Sequence, residues 1–202
     1  MFSKYQKKLW IDSETQTKEN YYKEVNNGFD PILFIKKPQL LIKERKDYYI
    51  AIDKFTNVYY ICYKNLMVLD IDYYKNNLIK NKTDVINMLI KFINNNNNFL
   101  FDVYESRNGC HIFCSSHKFR YDNLNEEYDK IVKELYCDEK YALLSKSRGF
   151  CVRLNEKNNK IKYNTDMYKF VIQIGNKKNE KRRLKFLISK HIKYMCKPSI
   201  TS

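Results

Sequence analysis

Two aspartates one residue apart end an apolar run, MVLDIDYY, and are the first candidates for chemistry in this sequence. On a strand, side chains alternate faces, and residues two apart are separated by roughly 6.6 Å. Asp70 and Asp72 therefore point the same way, while Leu69, Ile71 and Tyr73 point into the opposite layer. Two such acids repel each other unless a cation or water lies between them. Hard oxygen donors on one face suit Mg²⁺ or Mn²⁺. A strand end with two solvated acids has the same pattern, so the pair alone leaves both readings open.

A second stretch, ESRNGCHIFCSS (105–116), places a histidine between two cysteines just after a polar turn. Strand alternation puts Cys110, Ile112 and Cys114 on one face and His111 with Phe113 on the other. The three residues of CHIFC then cannot share one zinc ion, which needs about four converging ligands. The cysteines read as packing, and His111 is left beside Arg107, Ser106 and an Asn-Gly turn. A partly buried, satisfied histidine is one reading. The other is an anion grip in which His111, Arg107 and Ser106 all donate to phosphate.

The third stretch is CDEKYALLSKSRGFCVRLNEK (137–157). Asp138 offers a further acid, with Asp166 as its rival. Arg153 and Lys157 offer cations for a triphosphate, and Arg148 is a further candidate. Scattered surface charge is the bland alternative.

These residues need elements to hold them. Residues 1–30 resist placement, Asp30-Pro31 marks a boundary, and ILFIKKPQLLI follows as extended or mixed structure. YYIAI (48–52) and VYYICY (58–63) read as a hairpin. Strands are predicted over 65–73, 98–104, 111–115, 149–154 and 169–174. One helix is predicted from a Thr83 cap, with Val85, Ile86, Leu89, Ile90 and Ile93 on its apolar face. A second covers 123–136. A basic helix covers 178–195, with Leu184, Leu187, Ile188, His191, Ile192 and Met195 on one side.

The succession β-α-β-β-α-β is the split unit of ferredoxin-like and RNA-recognition-like folds. The expected class is α+β, in a single domain over 1–202. Its core spans about 47–175, extra strands precede it, and the basic C-terminal helix covers about 178–196. In that topology the first and third strands pair at the sheet centre and the fourth flanks the first. Asp70 and Asp72 are then expected beside His111 on one side and Arg153 on the other.

The bulk numbers agree with a binder of polyanions. The net charge is +15, and 18 Tyr and 12 Phe accompany it among 202 residues. Lys and Arg can track phosphates while aromatic rings stack on bases. AT-rich coding would also raise Lys, Asn, Ile and Tyr. The six cysteines form no C-x-x-C pair, no secretory leader is evident, and no apolar run approaches membrane-spanning length. The expectation is a protein of a reducing compartment with free thiols, in cytoplasm, nucleus or a viral replication site.

A strand-borne D-x-D, then S-x-x-G-x-H after a helix, then an acid followed by a strand with arginine, resembles the archaeo-eukaryotic primase superfamily. That superfamily includes primases and primase-polymerases of cells, plasmids and large DNA viruses. The resemblance covers roughly residues 60–160. It implies that Asp70, Asp72 and Asp138 hold two divalent ions, Mg²⁺ or Mn²⁺. It also implies that Ser106 and His111 contact the incoming nucleotide, beside Arg107, Arg153 and Lys157. The activity it implies is template-directed nucleotidyl transfer from NTP or dNTP on single-stranded DNA. The zinc-binding module and helicase domain of many relatives have no counterpart in these residues, which counts against autonomous priming; the resemblance also implies a replicative helicase domain or protein as a partner.

Two rivals stand beside that reading. One is a non-catalytic nucleic-acid-binding module on an RNA-recognition-like sheet. It explains charge and aromatics but not paired acids. The other is a phosphatase using D-x-D, which generally needs Thr or Val where Tyr74 stands. A structural or capsid-associated role leaves S-x-x-G-x-H unexplained.

Overall fold

A computed structural model describes residues 39–53, 58–75, 77–154 and 168–195. Within them the chain forms eight strands and four α-helices. The elements are β1 (Gln39–Glu44), β2 (Tyr48–Asp53), β3 (Tyr59–Tyr63), β4 (Val68–Asp72), α1 (Lys82–Asn95), β5 (Leu100–Ser106), β6 (Gly109–Cys114), α2 (Glu126–Glu134), α3 (Glu139–Arg148), β7 (Phe150–Arg153), β8 (Lys169–Gly175) and α4 (Arg182–Met195). The class is α+β, with two four-stranded antiparallel sheets ordered β1-β2-β3-β7 and β4-β6-β5-β8.

In the first sheet, β-branched and aromatic residues alternate as a two-sided strand requires. Ile50, Ile61 and Val152 lie in one cross-strand row and face the main core. Tyr49, Cys62 and Cys151 form the opposite row, in a small separate cluster.

The second sheet carries the acids. Paired residues share a face, so its ladders define rows across the strands. One row is Asp70, His111, Tyr104 and Phe170, and the next is Asp72, Gly109 and Ser106. The reverse face holds Leu69, Ile71, Ile112 and Val103. Helix α1 packs there through Val85, Leu89 and Phe92, with the Phe92 ring 5.9 Å from that of Phe101. On the acid face α4 lies at the far end, over the row Val68, Phe113, Asp102 and Gln173. There Lys185 Nζ meets the fully buried Asp102 at 2.8 Å.

The topology departs from the expected single sheet. Strand β7 does not flank β4; it pairs with β3, matching Phe150 to Tyr63 and Val152 to Ile61. Gly149 explains the diversion. It ends α3 at φ 88°, in the left-handed region that favours glycine, and a Cβ there would lie 2.7 Å from the Tyr63 carbonyl oxygen. The chain leaving α3 is thus laid directly on β3. As a result β4 is an edge strand, and β6 and β5 occupy the sheet centre.

Smaller corrections follow from local chemistry. The α1 cap is Asn81, not Thr83; its Oδ1 accepts from Thr83 N at 2.8 Å and from Asp84 N at 3.2 Å, while Asp84 reaches back in a capping box. Ile90 is exposed and Phe92 takes the buried position. Residues 121–123 form a 3-10 turn before the shorter α2, and α3 is an additional helix. The last helix begins at Arg182. Five cysteines are free thiols, four of them buried, as expected; Cys196 lies outside the described residues. No helix among the described residues is long and apolar enough to cross a membrane.

Candidate active site

Asp70 and Asp72 sit on one face of β4, in register with His111 and Gly109. The glycine of S-x-x-G-x-H has a steric reason. A Cβ at Gly109 would lie 2.1 Å from the Ile71 carbonyl oxygen, so any side chain would push the hairpin off β4. The close approach is continued by Tyr73 N, which donates to Asn108 O at 2.8 Å. The turn of the second motif is thereby fastened to the end of the first.

His111 is 6% exposed, and its Nε2 stands 3.4 Å from Asp70 Oδ1. Its Nδ1 is buried with no hydrogen-bond partner. A buried, unpaired ring nitrogen is costly unless something else engages it. The Tyr168 ring covers the imidazole at 4.5 Å. Burial raises the Tyr168 hydroxyl far above its ordinary range, against the pull of Arg153, with the charge of Asp70 adding to the rise.

The third acid arrives from another element. Asp138 N donates to Asp70 O at 2.8 Å, across the open edge of β4. Its side chain caps α3, with Oδ1 accepting from Tyr141 N at 2.9 Å, and Oδ2 is paired with the ammonium of Lys75. Burial alone would raise the Asp138 carboxyl; Lys75 and the backbone donors at Tyr141 and Lys140 outweigh it and hold the group below its ordinary value. Asp72 shows the reverse. Its carboxyl is raised, first by burial, then by the charges of Asp70 and Asp138, with Lys75 opposing. Three carboxylates from two elements therefore share one electrostatic field.

Beside them opens a cleft of about 520 Å³ lined by Asp72, Tyr73, Tyr74, Lys75, Arg107 and Asn108. Arg107 is exposed at the hairpin tip. Ser106 shares the acid face through its pairing with Gly109. Arg153 stands in the first sheet, opposite Tyr60, rather than beside the aspartates. It acts on the site from across the seam, through its field at Tyr168. The Arg148 carbonyl accepts from Tyr49 Oη at 2.5 Å, which ties the end of α3 to β2. Lys157 and Asp166 lie outside the described residues.

The donor set is chemically suited to a hard divalent ion, since its members are carboxylates with surplus negative charge. Among the described residues, however, no three His, Cys, Asp or Glu side chains are grouped closely enough to hold an ion together. Lys75 instead supplies the positive charge at Asp138.

Two participants escaped the sequence reading. Lys75 lies three residues past Asp72, but its partner is 63 residues away. Tyr168 precedes a predicted strand and carries no motif. The cysteines behave as anticipated: Cys110 Sγ lies 3.3 Å from Tyr73 Oη and Cys114 Sγ lies 3.5 Å from Ser116 Oγ. The sequence matches no family model, and neither a curated protein nor a solved structure matches it.

Proposed function

We propose that this protein is a template-directed nucleotidyltransferase, a primase or primase-polymerase that builds or extends strands on single-stranded DNA. The observation that carries the reading is the placing of Asp70 and Asp72 on the sheet face that also bears His111, with Asp138 held at the edge of their strand by its backbone N–H to Asp70 O. The resemblance of D-x-D and S-x-x-G-x-H to the primase superfamily supports it.

In this reading Asp70 and Asp72, joined by Asp138 once it exchanges Lys75 for metal, would hold two divalent ions. When bound, such ions lower the pKa of an attacking hydroxyl and brace the leaving pyrophosphate. The protein's own groups position the substrate. Arg107 and Lys75 line the cleft beside Asp72 and offer charge to a triphosphate. The buried Nδ1 of His111 gains a partner if a phosphate oxygen reaches it, and Nε2 stays turned to Asp70. Ser106 sits one strand beyond Gly109 as a further donor on that face. Arg153 and Lys157 are proposed as additional triphosphate contacts, and a helicase as a partner in replication.

The test is incubation with a primed single-stranded template, labelled NTPs or dNTPs, and Mg²⁺ or Mn²⁺. The wild-type chain is expected to extend the primer. The Asp70→Ala/Asp72→Ala protein is expected to bind template but yield no product. Normal extension by that variant would sink the assignment. Template binding without product or metal-dependent nucleotide binding, in the wild type, would favour the non-catalytic module.

A further inference from the structure

The row that begins at Asp70 continues outward through His111 and Tyr104 to Phe170 on β8. At about 4.8 Å per strand, Phe170 lies roughly 14 Å from Asp70 across the sheet. Burial changes sharply along the row. His111 and Tyr104 are each 6% exposed, and Phe170 is 51% exposed. The Phe170 ring is held edge-to-face against Tyr104, with centroids 5.4 Å apart.

A backbone irregularity aims this ring. Val103 pairs with Ile172, but Tyr104 pairs with Phe170, so the ladder skips Val171. In unbroken register Tyr104 would meet Val171, and Phe170 would oppose Glu105 on the α1 side of the sheet. The bulge turns Phe170 onto the acid face instead. Bulges beside functional sites commonly re-aim one side chain in this way. Scattered exposed apolar residues need no explanation, but this one is steered onto a particular face and braced there.

We infer that Phe170 is a base-stacking platform for the single-stranded nucleic acid that serves the acid site. This rests on the nucleic-acid reading proposed above and adds to it the element that seats the strand. The charge favours that occupant: the chain carries +15, which draws a polyanion to its surface. A ring's π-face stacks on any base, so the contact is indifferent to sequence. Duplex bases are stacked on one another and offer no free face to Phe170.

The test is fluorescence anisotropy on the full chain with a labelled single-stranded dT20 and a labelled 20-base-pair duplex, at one fixed salt concentration. Phe170→Ala is expected to weaken dT20 binding about 5- to 20-fold, leaving duplex binding unchanged. Phe170→Trp should retain the affinity. Phe170→Leu keeps an apolar contact with Tyr104 but no π-face, and should behave like the alanine variant; a normal melting curve for it excludes a folding defect. Wild-type affinity in Phe170→Ala or Phe170→Leu would overturn the platform, as would an equal loss on duplex or a wild type that fails to bind dT20. The two readings fail separately. If the wild type makes no product yet dT20 binding still depends on Phe170, the catalytic reading falls and the platform stands. If product forms and Phe170→Ala binds normally, the platform alone falls.

Discussion

Asp72 holds its charge against burial and two neighbouring acids, so its own fold resists it. Replacing it with Asn keeps the shape and removes the repulsion. Asp72→Asn is expected to raise the Tm of the metal-free protein at pH 7 by a small margin, because the half-exposed carboxylate is partly screened by water, while nucleotidyl transfer is lost. The pH dependence has a fixed sign. A carboxyl raised above its ordinary 3.8 costs stability above its folded pKa and returns it as pH falls through that value. The advantage of Asp72→Asn should therefore shrink on acidification. Melting curves at several pH values check this; a lower Tm at pH 7 would contradict the electrostatic account. At this scale much was legible in the sequence. Alternation put Asp70 and Asp72 on one face, because a period of two leaves a strand no other choice, and the expected pairing of the first and third strands set His111 beside them. Lys75 was not legible, since only the folded chain brings it to Asp138.

Helix α3 shows where elements become harder to read. Its buried positions are Ala142 and Ser145, so it has no continuous apolar stripe to betray a helical period. What starts it is Asp138, which here caps a helix and supplies a candidate third acid at once. The two duties can be separated. Asn caps a helix about as well as Asp, whereas Ala does not. Asp138→Asn should melt near the wild type, and Asp138→Ala should lose about 1 kcal/mol in urea unfolding; both should lose transfer activity. Full activity in Asp138→Asn would remove Asp138 from the metal set. The pairing of β7 was equally hidden. Its apolar pattern suits either sheet, and the choice is made by Gly149 and the carbonyl of Tyr63, contacts between residues distant in sequence.

Across the whole molecule the excess of cations is the dominant long-range feature. A chain at +15 that tracks phosphates releases counterions when it binds, so affinity for a single strand falls linearly on a log–log plot against salt, with a slope near −0.7 per phosphate neutralised. With about six such contacts, raising salt from 50 to 200 mM should weaken dT20 binding on the order of 10²-fold. A flat salt profile would mean that the charge has some other purpose. The α+β class and most strands were readable from the sequence, whereas the division into two sheets was not, because one strand changes partners.

That change of partner has a mechanical consequence. Asp70 and Asp72 belong to one sheet, while Asp138 opens a helix whose other end runs straight into β7 of the other sheet. A single described backbone bond, Asp138 N to Asp70 O, crosses between them at the acids. Any ligand gripped by all three carboxylates is then a clasp between two slabs, and loading the site and stiffening the seam become one event.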